Sequence, residues 1–166
     1  MPIVSVNNPL PLHTQIREIL KQEISANLYT DKIPSERELM NRFSVSRSTI
    51  REAVIHLVHE EINKKIEQTF ETFFYGSEDE RIYHPVDGDM GYLEDTGNHD
   101  ARTEGMSYGM MICVQLNKKE EFDRIWKWAK TYMWMEDGYH EGYFAWSCGL
   151  DGKTNANSPA PDGEEF

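Results

Sequence analysis

"AVIHLVHEEINKKIEQTF", residues 53–70, reads as one uninterrupted helix. Apolar side chains fall at Val54, Leu57, Ile62, Ile66 and Phe70, and only polar or charged residues occupy 59–61. No glycine or proline breaks it. The fold turns on this stretch because its two flanks differ. Before it lie short amphipathic segments separated by tight turns. After it comes sequence rich in glycine, aspartate and aromatic residues. The helix is either the middle of one unit or the joint between two.

Charge separates the flanks. The 166-residue chain carries a net charge of −12. Residues 1–61 hold seven Lys/Arg and eight Asp/Glu, and the remaining 105 hold ten and twenty-one. The first part is able to approach a phosphate backbone with its arginines facing one way, whereas the second would be repelled by phosphate and suits a neutral ligand. A hydrophobic content of 39% is that of a globular chain. No run of eighteen apolar residues occurs, and "MPIVSVNNPLPLHTQ" lacks a basic start and an apolar core, so the expectation is a cytoplasmic protein with no membrane partner. Cys113 and Cys148 lack metal spacing and read as buried thiols. His56 and His59 have no third ligand at a sensible spacing, so no metal and no cofactor are expected.

The first flank predicts three helices. "LHTQIREILKQEISANL" places Leu12, Ile16, Ile19, Leu20 and Ile24 on one stripe. "SERELMNRF" opens with Ser35 and has Glu38 three residues on, a capping box. "SVS" is a tight turn, and Ser46 caps a third helix that opens with Arg47, Ser48, Thr49 and Arg51. Ile50, Val54 and Leu57 would pack on the first two helices. A tight turn between the second and third helices suits a helix-turn-helix, whose second helix enters the major groove by its N-terminal turn. Arginine grips guanine through two hydrogen bonds, and Ser/Thr bond phosphate or base edges. The alternative is a plain three-helix bundle with surface arginines.

The wording of "PLHTQIREILKQEI" and "IPSERELMNRFSVSRSTIREAVIHL" closely resembles the N-terminal domain of GntR-family bacterial transcription regulators, over roughly residues 9–60. The resemblance implies DNA contacts from Arg37, Arg47, Ser48, Thr49 and Arg51. That family follows its third helix with a glycine-bearing β-hairpin, the wing, and nothing after Glu60 resembles it. The effector domain of the family is also missing from the resemblance. Weak DNA binding is therefore expected, since wing contacts and half-site avidity are lost.

The second flank predicts helices over "TEGMSYGMMICVQL" and "KEEFDRIWKWAKTYMWM", with Thr103 as an N-cap and Phe122, Ile125, Trp126, Ala129 and Met133 on one buried side. "GSEDERIYHPVDGDMGYLEDTGNHDA" reads as loop. Glu104 begins a helix beside the small residues Gly105, Ser107 and Gly109, and tyrosines and tryptophans crowd the next forty residues. A carboxylate at a helix start is most simply compensation of the helix dipole, and most of the aromatics are core.

"DTGNHDARTEGMSYGMMICVQLNKKEEFDRIWKWAKTYM", "GYFAWSC" and "PAPDGEE" closely resemble the start of glycoside hydrolase family 8, and within it the reducing-end xylose-releasing exo-oligoxylanases, from about Ile62 to Phe166. The resemblance implies part of an (α/α)6 barrel and an inverting O-glycosyl hydrolase acting on xylo-oligosaccharides. It also implies Glu104 as general acid, Asp162 as a sugar contact beside the scissile bond and Trp146 as a stacking platform. Inversion needs a second carboxylate roughly 6.5–9.5 Å from the acid. The resemblance places that base downstream, so the hydrolase-like part is expected to be inactive, with Glu104 solvated.

Residues 53–70 are thus the expected joint. The fold class is mainly α: a helix-turn-helix of winged-helix type without its wing (residues 1–60), an incomplete (α/α)6 barrel (residues 61–166), and a long helix over about 47–75. A barrel fragment is expected to leave Phe70, Phe73, Phe74, Met110, Met111, Trp126 and Trp134 partly exposed, giving a homo-oligomer, an altered collapsed packing or poor solubility. The function read from sequence is a fusion of a transcription-regulator module with a truncated, inactive glycosidase module. A working glycosidase using Glu104 is the alternative.

Overall fold

The computed structural model describes residues 4–164. The chain divides into two compact units, Met1–Gln68 and Thr69–Phe166.

The first unit holds α1 (Leu12–Ser25), α2 (Glu36–Phe43) and most of α3 (Arg47–Tyr75). Gln15 is buried in α1 and ties the lead-in down. Its Oε1 accepts from Ser5 N at 3.0 Å, and its Nε2 donates to Ser5 O at 3.0 Å and Leu10 O at 2.7 Å. The capping box at α2 forms, with Ser35 N donating to Glu38 Oε2 at 2.8 Å and Glu38 N to Ser35 Oγ at 3.4 Å. Those bonds hold the Glu38 carboxyl below its ordinary range. Ser44 ends α2 in the left-handed region (φ 54°, ψ 45°), which folds the chain back within three residues. Ser46 then caps α3, its Oγ accepting from Thr49 N at 3.3 Å.

Ile16, Leu20, Leu39, Phe43, Ile50, Ala53 and Leu57 form the core, with Val54 packed at its edge. Among the described residues this unit has no strand. Where a wing would begin, the chain continues as α3 to Tyr75, the boundaries read from the sequence. The mainly-α class and the wingless helix-turn-helix are what the structure has.

The second unit is built on α4 (Thr103–Gln115) and α5 (Lys119–Tyr132). It departs from the sequence reading at residues 76–101, expected as loop. Strands β1 (Tyr83–Val86) and β2 (Met90–Leu93) form an antiparallel hairpin with Tyr83 opposite Leu93. β3 (Asp100–Arg102) pairs with β4 (Ser147–Gly149) antiparallel, and α6 (Pro161–Glu164) closes the described chain.

The buried face of α5 keeps the expected Ile125, Ala129 and Met133 but takes in Trp128 where Trp126 was expected. Trp128, not Trp126, is the core tryptophan: Trp128 is 1% exposed and Trp126 44%. Trp128 lies 5.4 Å from Tyr92 of β2 and 5.2 Å from Tyr132, centroid to centroid. The expectation that Phe70 and Phe74 remain partly exposed is also overturned. Both are buried and stacked at 4.1 Å, and Phe74 stacks on Tyr83 at 5.0 Å. The hairpin supplies the cover. Phe73, Met111 and Trp126 do remain exposed. Both cysteines are free and buried, and burial pushes the Cys113 thiol up to about 12 and the Cys148 thiol up to about 11.

Candidate functional site

On the first unit, the turn at Ser44 and the Ser46 cap place the opening of α3 at the surface. Arg47, Ser48 and Arg51 are exposed and Thr49 half-buried. Ser46 Oγ lies 2.8 Å from Ser48 Oγ and 2.9 Å from Thr49 Oγ1, so one cap organises three hydroxyls. Arg47 and Arg51 are four residues apart and share a helix face. Arg37, exposed on α2, follows Glu36, whose carboxylate meets both α3 arginines. Arg42 is occupied elsewhere, donating to Glu23 and, at 3.0 Å, to Tyr29 Oη, and this holds the Glu23 carboxyl below its ordinary range.

On the second unit, the backbone segments that carry Glu104, Trp146 and Asp162 meet at Thr103. Thr103 N donates to Trp146 O at 3.1 Å. A Cβ on Gly163 would meet Thr103 Oγ1 at 2.1 Å, so the turn carrying Asp162 reaches the start of α4 only because residue 163 has no side chain. Glu164 locks that turn by accepting from Phe144 N at 2.7 Å. Arg102, not Thr103, is the N-cap residue of α4; Thr103 is the first helical residue and is buried. Glu104 is exposed, and Trp146 is 37% exposed.

Sequence reasoning missed the polar frame around these three. Arg102 Nε lies 3.0 Å from Asp100 Oδ1 and 3.1 Å from Asp95 Oδ2, and its guanidinium carbon sits 5.4 Å from the centre of the Trp146 ring. Asp100, buried, accepts from Ser147 Oγ at 2.6 Å, clamping β3 to β4. Hydrogen bonds from the Asn98 side chain and the Gly97 N–H, with the Arg102 charge, hold the Asp95 carboxyl below its ordinary range.

Glu104 lines a cavity of about 290 Å³ with Glu94, Asp95, Arg102, Tyr108 and Gly105. Glu94 is engaged by His84 Nε2 at 3.0 Å and His99 Nδ1 at 2.8 Å. Of the small residues in α4, Gly109 is needed for close packing, since a Cβ there would meet Leu93 Cδ1 at 2.5 Å. Gly105 has nothing within 4 Å and leaves the cavity floor open.

Residues 12–63 match the family model for bacterial regulatory proteins of the gntR family, and residues 84–165 that for glycosyl hydrolases family 8. The chain carries a GntR helix-turn-helix domain and a segment of a family 8 glycosyl hydrolase. Over 107 residues it is 56% identical to the reducing-end xylose-releasing exo-oligoxylanase Rex8A of Paenibacillus barcinonensis. That match takes in 64% of this chain, which spans only 28% of the length of that relative.

The structure of Rex8A complexed with xylose matches with a TM-score of 0.63 over the same shares of both chains. The GntR domain is 44% identical over 57 residues to the Uxu operon regulator of Haemophilus influenzae, covering 33% of this chain and 20% of that one. It is 41% identical over 59 residues to the transcriptional repressor NagR of Bacillus subtilis, covering 34% and 24%. Among the described residues no helix is long and apolar enough to cross a membrane.

The packing of Gly163 on Thr103 yields a paired test within the family 8 segment. Gly163→Ala should cost about 1–3 kcal/mol by overpacking and speed amide exchange at Phe144 as the Glu164 contact loosens. Gly105→Ala, inside a helix and facing space, should gain about 0.5–1 kcal/mol. Equal effects in urea unfolding would contradict this packing.

Proposed function

We propose that the chain binds duplex DNA through Arg37, Arg47, Ser48, Thr49 and Arg51, and holds a xylo-oligosaccharide at Glu104, Trp146 and Asp162 without cleaving it by these residues alone. The observation that carries the first half is the exposed, capped opening of α3 on a helix-turn-helix core, with two arginines on one face. We place the functional division at residues 60/61, inside α3. The two compact units part eight residues later, also inside α3.

DNA binding should appear in a low-salt gel shift and weaken steeply with salt, since phosphate contacts release counterions. Arg47→Ala should cost about 1–3 kcal/mol. No shift at micromolar protein would reject the reading.

The second half rests on the backbone segments of Glu104, Trp146 and Asp162 meeting at Thr103, and on identity to Rex8A. An aromatic face beside carboxylates suits a neutral sugar ring. Turnover with inversion needs a carboxylate free to activate water. Of those sharing the cavity of Glu104, Asp95 is committed to Arg102 and Asn98, and Glu94 shares one oxygen with His99. Calorimetry with xylobiose should give a heat that Trp146→Ala removes, and xylotriose should release no xylose. Xylose release abolished by Glu104→Gln would favour the other reading, a working glycosidase.

We also propose self-association of two copies through α3. Ile55, Val58, Ile62 and Ile66 are all exposed and, at 100° per residue, fall within an arc of about 80°. Sedimentation velocity should show a species heavier than 19.4 kDa that Ile62→Lys disperses, and a monomer at all concentrations would refute it.

A further inference from the structure

The carboxylate of Glu36 stands among the arginines proposed to read DNA, where a negative charge works against phosphate attraction. Its two oxygens divide the pair. Arg51 Nε donates to Oε1 at 2.9 Å, and Arg47 Nε lies 3.6 Å from Oε2. All three side chains are substantially exposed: Arg47 62%, Arg51 60% and Glu36 42%. Exposed ion pairs of this kind contribute little to folding, so the arrangement acts on the arginines rather than on the core. It places two guanidiniums one helical turn apart on a common anchor. It engages them through Nε and leaves their Nη groups for another acceptor. It also cancels about one of the two positive charges at the tip of α3.

We propose that Glu36 is a specificity-determining residue of this DNA face, an inference that rests on the DNA-binding reading above. The sequence-independent part of binding scales with the charge offered to phosphates. Sequence is read by bidentate arginine contacts to guanine, which require the fork to be held in place. A carboxylate between the arginines lowers the first term and, by fixing the forks, favours the second. Glu36 is the first residue of α2, directly after the Ser35 cap, so the capping box that holds α2 also fixes where this anchor stands. Glu36 thereby acts through Arg47 and Arg51 as a positioning residue.

The test uses the full chain. A duplex is enriched from a randomised pool by the unaltered protein, then compared with a scrambled duplex of the same composition across a salt series. Glu36→Gln should bind the scrambled duplex more tightly and steepen its salt slope by about one phosphate equivalent. It should also lower the enriched-to-scrambled affinity ratio by about tenfold, the size of one good base contact. Glu36→Asp keeps the charge at the helix start but draws the carboxylate back, so the ratio should fall while the slope stays. Glu52→Gln, an equal charge change elsewhere on α3, should leave the ratio as it was. Circular dichroism verifies that each variant keeps its helices. An unchanged ratio in a folded Glu36→Gln overturns the role of Glu36 alone. An equal loss in Glu52→Gln also overturns it, by making the effect one of net charge. Failure to enrich any duplex removes instead the DNA-binding reading beneath it.

Discussion

The central span of α3 has no core of its own. Every residue from 61 to 69 is exposed. Isolated helical turns in water are marginal, because nucleation costs more than a few backbone bonds return. This helix therefore depends on the residues anchored at either end of it: Ile50, Ala53 and Leu57 in the first core, Phe70 and Phe74 in the second. Its hydrophobic side chains serve different partners along its length, which is why the apolar positions of residues 53–70 fit no single stripe. Leu57 and Phe70 are buried while Ile62 and Ile66 between them are exposed.

Continuing α3 as a helix past Glu60 has an electrostatic consequence for the GntR domain. A wing would add contacts of its own to the duplex; without one, the proposed DNA contacts fall to the opening turn of α3 and to Arg37. That makes the local charge balance there matter more. Lys21 and Arg17 do not supplement it, because both are drawn to Glu60. On the proposed reading the domain would meet DNA with a narrow set of arginines, two of them sharing one carboxylate.

What could be read from sequence follows from the range over which each interaction acts. The capping box at Ser35, the Ser46 cap and the extent of α3 depend on neighbours within four residues, and the spacing alone reveals them. The hairpin of β1 and β2 was hidden because Pro85, Gly88 and Gly91 are breakers in a short run with little alternation, and because its stability comes from α5 packed on β2. Missing the hairpin led directly to choosing Trp126 over Trp128 and to leaving Phe74 uncovered. The frame of Arg102, Asp95, Asp100 and Ser147 was invisible for another reason: Ser147 lies 47 residues from Asp100, and polar side chains carry no periodicity to betray such a pairing. The family resemblance singled out Glu104, Trp146 and Asp162 but was silent on the residues that hold them.

That frame also bears on what the family 8 segment does chemically. A group that activates water must be able to take a proton from it, so its lone pairs must be free. Asp95 is the reverse case: donors from Asn98, Gly97 and Arg102 stabilise its charged form and weaken it as a base. Glu94 Oε1 is hydrogen-bonded to His99 Nδ1 at 2.8 Å, while His84 Nε2, 3.0 Å from Oε2, makes no hydrogen bond. Arg102 meanwhile uses its charge on Asp95 and Asp100 and its face on Trp146, which spends it on shape rather than on a reacting atom. The residues around Glu104 are arranged to hold β3, β4 and the start of α4 rigid. The exposed acids Glu104 and Asp162 and the partly exposed Trp146 fit the proposed sugar-holding role, for which Asp95 is not needed as a base.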